Sequence, residues 1–351
     1  MRRKYGWIFG AAMLILIFVR PQEAVDGAQR AMRTWFTGVA PAMLPFLALM
    51  PMITAPEACA AYQKLFSGIM NRLFKLPGAA APAVIAAMIS GSPGGSAVIY
   101  EMKAGGGISN TDAARIALAV GGVSPGWLVL GVGCGMLGSK AAGLKFAAIQ
   151  IVVQLFLLKL LEKVKIENAP GSEMHQPKTA NRQMWSAVET VLGVCGYMAV
   201  FGAYGNVLAS FAGKTAGTVL MSVLDLPSGV GMISDQIFRG RYAAIGAAIG
   251  FGGLCIAAQN VERIRSFGIR WMDYLFVRLI SAILNGGLCA VAFRNMRPEE
   301  VFRVPHGKIY VISLLAAGIF TVPGMIFLSK NIFLNKRKGK KNNAEICQKP
   351  N

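Results

Sequence analysis

Charge is what this sequence has least of. Only 15% of its 351 residues are Asp, Glu, Lys or Arg, against about a quarter in soluble domains. None of those charges falls within residues 34–56, 76–100, 116–139, 190–213, 242–261 or 309–329. A helix rising about 1.5 Å per residue needs about 20 residues to cross about 30 Å of hydrocarbon, so each of these windows can span a bilayer. Three further candidates are residues 5–19, which are short, and 143–161 and 274–293, whose Lys or Arg would snorkel or face inward. A soluble single-domain protein is excluded.

Other scarcities narrow the chemistry. The two histidines, His175 and His306, lie in polar connectors without a ligand-like neighbour. The six cysteines have no CxxC spacing and mostly sit in apolar context, as small packing residues do. A metal centre and a disulfide framework are therefore not expected. No GxxxxGK[ST] or HExxH occurs, and the one GxSxG, Gly122 to Gly126, sits in a charge-free window with no acid or histidine beside it, so neither an enzyme nor a cofactor is expected.

What the chain does carry is positive charge at its ends. The net charge is +20, and the tail from Lys330 onward holds seven basic side chains against one acid, Glu345. On a membrane protein such clusters set topology and meet anionic lipid, and nucleic acid is not an expected partner. With Arg2-Arg3-Lys4 at the other end, both termini are expected in the cytoplasm, which requires an even number of crossings. The apolar run after Lys4 has signal-peptide length. Arg20-Pro21-Gln22-Glu23 follows it without a small-x-small cleavage site, so it reads as an uncleaved first span.

The longest polar stretch, residues 162–183, divides the chain into similar halves. The first (33–161) runs from an apolar span through an amphipathic stretch to Leu76-Pro77-Gly78. It continues to a break at Ser90-Gly91-Ser92-Pro93-Gly94-Gly95-Ser96 and another at Gly121-Gly122-Val123-Ser124-Pro125-Gly126. The second (184–329) repeats the order with Leu226-Pro227-Ser228-Gly229, Gly250-Phe251-Gly252-Gly253 and Asn285-Gly286-Gly287. Residues 1–32 form an N-terminal span and amphipathic connector, and 330–351 a basic tail. The expected fold is an all-α polytopic integral membrane protein. It would have about 8–10 segments in two repeated halves, with Gly/Pro-broken helices or re-entrant hairpins, the pattern that points to a transporter site.

Broken backbone at membrane depth is tolerated only where it is buried in protein or lines a polar cavity. Residues Ser90, Ser92, Pro93, Gly94, Gly95 and Ser96 are accordingly candidate solute-binding positions, the competing role being close helix packing. Ser124 and Pro125, Gly252 and Gly253, Gln259 and Asn285 extend the set into the other breaks. Gln259 could equally serve an interhelical hydrogen bond. Arg115 and Arg278 precede the second break of each half. They are either interfacial anchors or guanidinium groups holding a central anion bidentately.

At these same motifs the sequence resembles the sporulation integral membrane proteins of the YlbJ type, a Gate-domain ("nucleoside recognition") family. The resemblance lies in Val39-Ala40-Pro41-Ala42-Met43-Leu44-Pro45-Phe46, the turn at Leu76, the 90–95 core, Ser124-Pro125, Leu226-Pro227-Ser228-Gly229 and Gly250 through Gln259. It covers roughly residues 33 to 327. Gly121-Gly122-Val123 stands where the family has a polar tripeptide, and Cys255 and Ala257 where it has Ser and His. The resemblance implies export of dipicolinate toward the forespore, in the membrane around it, and kinship with the Gate halves of nucleoside transporters. The expected partners are a small polar, anionic solute and the lipid bilayer, and a homo-oligomer is compatible with the sequence. Alternatives are a non-transporting scaffold for spore envelope or cortex assembly, and a nucleoside-type permease.

Overall fold

A computed structural model describes residues 6–53, 55–163 and 180–296. The described residues are 86% helical and contain no strand, so the chain is an all-α integral membrane protein. The expected span over 309–329 and the basic tail lie outside the described residues, as does most of the polar connector.

Among the described residues, five helical stretches are long and apolar enough to cross a membrane: Asn110–Met136, Lys140–Lys163, Trp185–Leu224, Arg241–Ser266 and Trp271–Ala292. A sixth candidate, Glu57–Phe74 with Gly78–Ser90, is bent by 104° at its Leu76-Pro77 turn. The turn has a local cause. Lys75 adopts left-handed φ (52°), and Pro77 cannot continue a helix from the preceding turn.

The helices follow in chain order. α1 (Gly6–Val19) and α2 (Pro21–Thr34) are too short to cross alone, at about 21 Å each. α2 leads through a wide turn into α3 (Ala40–Ile53). α4 (Pro56–Ile69) and α5 (Ala81–Ser90) flank the sharp bend, and α6 (Gly94–Ala104) and α7 (Asn110–Val120) follow. α8 (Pro125–Trp127) continues in wider i→i+5 turns to Met136, before α9 (Lys140–Leu160). The second part holds α10 (Ala180–Leu224), kinked at Gly213, α11 (Leu226–Ser234), α12 (Arg241–Phe251), α13 (Gly253–Ser266) and α14 (Trp271–Ala292).

Small residues set the helix spacing. In lipid no hydrophobic force draws helices together, so close backbone approach and hydrogen bonds do. α2 buries Ala24, Gly27 and Ala31 against α10, where a Cβ on Gly27 would fall on the Gly202 carbonyl. Asn206 of α10 donates to Glu23 O (2.6 Å) and accepts from Arg30, so the contact is latched by polar groups. α12 and α14 pack the same way. A Cβ on Gly250 would strike Ser281 O, and one on Gly286 would lie 3.1 Å from Ala247 Cβ.

The breaks are shorter than the sequence suggested. Gly94, Gly95 and Ser96 belong to the first turn of α6, Pro125 opens α8, and Gly250 and Phe251 are helical. Asn285-Gly286-Gly287 is not a break, because α14 runs through it unbroken. There the glycine serves close packing on α12, which sustains the helix. The interruptions that do occur are at 91–93, 121–124, Asp225 and 252–253.

The α2–α10 contact yields the first prediction. Gly202→Val should destabilise the protein by about 1–3 kcal/mol, the usual cost of overpacking. Gly196→Val, on the same helix with nothing within 4 Å, should stay within about 0.5 kcal/mol of the parent. Melting curves of the detergent-solubilised variants measure the difference, and equal melting temperatures would remove the close-packing account.

Candidate functional site

The breaks at 91–93 and 121–124 satisfy one another. Ser92 N–H donates to the Gly122 carbonyl (2.7 Å), and a Cβ on Gly91 (φ 64°) would collide with the Ser124 nitrogen, so only glycine allows this approach. The remaining carbonyls at the end of α7 are met by side chains. Arg278 donates to Leu118 O (2.6 Å) and Gly121 O (2.9 Å), and Gln154 Nε2 to Val120 O (3.3 Å). Val120 O also accepts from Gly122 N–H (2.8 Å), whereas the Leu118 and Gly121 carbonyls depend on Arg278 away from water.

The other two breaks also meet. Gly252 and Gly253 are both left-handed (φ 85° and 79°), and a Cβ on Gly253 would lie 3.0 Å from the Leu226 nitrogen. Asp225 caps α11: its Oδ2 accepts from Ser228 N–H (3.2 Å) and Ser228 Oγ (2.5 Å). Across from it on α13, Cys255 borders the same space, and Gln259 Nε2 donates to Cys255 Sγ (3.3 Å).

Between the two pairs of breaks lies a small cavity of about 40 Å³. Ser90, Ser92, Pro93, Val123, Ser124 and Trp127 line it from one side. Asp225, Leu226, Pro227, Cys255, Ile256 and Gln259 line it from the other, and Val39, Met43, Val194 and Met198 close it with apolar surface. Three buried polar atoms of this wall have no hydrogen-bond partner: Trp127 Nε1, Asp225 Oδ1 and Gln259 Oε1. An unmet buried group costs about 1–3 kcal/mol, and here three of them border one space.

The wall also has a polarity. α6, α11 and α13 all begin at this cavity, through Ser92-Pro93, Asp225-Leu226 and Cys255-Ile256 respectively. A helix N-terminus carries about half a positive charge, so three of them favour negative charge between them.

Of the residues expected from the sequence, Ser90, Ser92, Pro93, Ser124 and Gln259 come together in this wall. Gly252 and Gly253 shape the break behind Leu226. Gly95 serves the α5–α6 contact, where a Cβ would lie 2.8 Å from Ala87 Cα, and Gly94 faces Leu47 of α3, whose Cδ2 a Cβ would approach to 2.5 Å. Ser96 donates to Pro93 O (2.7 Å) and is bonded to Asn260, and Asn285 donates to Ser281 O (2.9 Å). Neither arginine is in the lining. Arg115, 4% exposed, donates to Phe74 O (2.7 Å), Leu161 O (3.1 Å) and Lys75 O (3.3 Å). Both guanidinium groups are held by helix-end carbonyls, a use in which five fixed donors suit several acceptors at once.

The sequence reading passed over Asp225. It is fully buried and is the sole acid between Glu189 and Asp235. A legible signal was present, because Asp followed by Leu-Pro-Ser is the start pattern of a helix, with proline in its first turn. Trp127 was likewise read only as part of an apolar span.

Replacing either arginine should therefore act on stability. Arg115→Met and Arg278→Met each leave carbonyls without donors and should cost about 2–4 kcal/mol. The check is a melting temperature measured beside solute uptake. An Arg→Met protein that melts like the parent but fails to transport would return the guanidinium to a solute-binding role.

No protein-family model matches the chain, and no solved structure matches it. A curated protein does. The "Sporulation integral membrane protein YlbJ" of Bacillus subtilis (strain 168) is 20% identical over 313 residues, covering 76% of this chain and 77% of that protein. Together with the motif resemblance, it makes this chain similar to the YlbJ-type sporulation integral membrane proteins.

Proposed function

We propose that this chain carries a small anionic solute, dipicolinate or a similar compact acid, across the membrane surrounding the forespore during sporulation. One observation carries the reading: three helix N-termini and three unpartnered polar atoms border a single cavity at the meeting point of four helix breaks. Discontinuous helices whose N-terminal ends face an anionic group are the recurring site architecture of secondary transporters. A scaffold has no need of broken backbone, whose unmet groups cost several kcal/mol each in hydrocarbon. Met43, Met198 and Trp127 offer apolar surface to a ring.

The anion preference rests on the helix ends, since no cationic side chain is in the lining. Asp225 opposes it. An ionised carboxylate about 5 Å from the solute at an effective dielectric of about 20 would cost about 3 kcal/mol. A neutral hydroxyl-bearing solute of the nucleoside type is the second reading, favoured by the two free acceptors Asp225 Oδ1 and Gln259 Oε1.

The test is uptake of labelled dipicolinate into proteoliposomes, measured beside protein abundance. Gln259→Leu keeps the side-chain volume and removes the polar head. It should lower uptake at least about tenfold, from loss of a polar contact of about 1.4 kcal/mol or more, at unchanged abundance. Competition by uridine but not by pyridine carboxylates would select the nucleoside reading. No uptake of either probe by the parent protein would leave the scaffold.

A further inference from the structure

We propose that Asp225 is a proton-exchanging group, so that the anionic solute moves together with a proton. The inference rests on the transport reading above and names what drives it.

The geometry isolates one carboxyl oxygen. Asp225 is fully buried, and its Oδ2 is occupied by the two Ser228 donors. Its Oδ1 is buried without a partner, in a residue of the cavity wall. The groups around it cannot neutralise it. α13 presents Cys255 and Gln259, α10 presents the apolar Val194 and Met198, and α8 presents Trp127. The cations on neighbouring elements are engaged elsewhere: Arg241 of α12 with Ser234 O and Tyr242, Arg30 of α2 with Asn206. Cys255 is therefore the other titratable group facing the carboxyl.

In the empty cavity the carboxylate itself supplies the negative charge that the three helix N-termini favour. An entering anion competes for the same positive ends and is repelled by Asp225. Protonating Oδ1 removes the repulsion and turns the carboxyl into a donor toward the solute. The proton comes from water on the entry side and returns to water when the solute leaves and the carboxylate resumes its place. A metal cation is a poorer fit. One carboxylate, a thiol and an amide do not make the six to eight oxygen ligands that a hard cation takes, and no group of three or more His, Cys, Asp or Glu lies together among the described residues.

The experiment uses the full chain in phosphatidylethanolamine–phosphatidylglycerol vesicles, with labelled dipicolinate as probe at zero membrane potential. With one proton per solute, a gradient of one pH unit should support about tenfold accumulation by the parent. Asp225→Asn retains helix capping, since Asn caps as well as Asp, and mimics the neutral form. It should still exchange labelled for unlabelled probe but lose the response to the pH gradient. Infrared difference spectra with and without probe give a readout independent of flux. A protonated-carboxyl band should appear on probe addition, shift in Asp225→Glu and vanish in Asp225→Asn. Accumulation by Asp225→Asn that follows the pH gradient as in the parent, or a band indifferent to both substitutions, overturns the inference while leaving transport intact. Absence of probe exchange in the parent overturns transport and this inference together.

Discussion

Everything in this fold depends on how backbone polar groups are satisfied where no water reaches them. The hydrogen bond from Ser92 N–H to Gly122 O, with Arg278 on the Leu118 and Gly121 carbonyls, lets two helices stop inside the protein without stranding their ends. Without such closure the interruptions at 91–93 and 121–124 would have to become continuous helix, and the space between them would be lost. The stability of the scaffold and the existence of the cavity are one constraint seen from two sides.

That constraint also explains the division of labour among the polar residues. The carbonyls ending α7 are met by guanidinium and amide groups, which donate. The N-terminal ends of α6, α11 and α13 border the cavity instead, where Ser92, Asp225 and Cys255 lie. Cations are consumed as structural donors, and the cavity keeps acceptors and helix-end positive charge. The lining therefore holds no cationic side chain, and Asp225 is its one acid.

Glycine plays three physically separate roles here, and sequence gives them the same letter. Gly91, Gly252 and Gly253 provide left-handed backbone at true breaks. Gly202 and Gly286 provide close approach within unbroken helices. Gly193 and Gly196 meet nothing at all. Matching Gly121-Gly122 with Gly286-Gly287 as equivalent breaks therefore failed, because α14 continues through the second pair. The left-handed angle at Gly252 is set by what it must connect, α12 to α13, and no neighbouring residue type encodes it.

The amino-acid sequence determined the solvent of this protein and hence its fold class. Charge-free windows of spanning length leave only helices as a way to satisfy the backbone in lipid. It also determined where helices are weakest, since Pro93, Pro125 and paired glycines act locally. It carried the relationship to the YlbJ-type proteins through those same motifs. Only the tertiary structure decided which breaks face each other, because the bond from Ser92 to Gly122 and the contact of Gly253 with Leu226 join residues far apart in sequence. It alone turned Arg115 and Arg278 toward helix-end carbonyls, and it alone brought Asp225 into the cavity wall. A charge between two apolar segments reads as a loop until packing buries it.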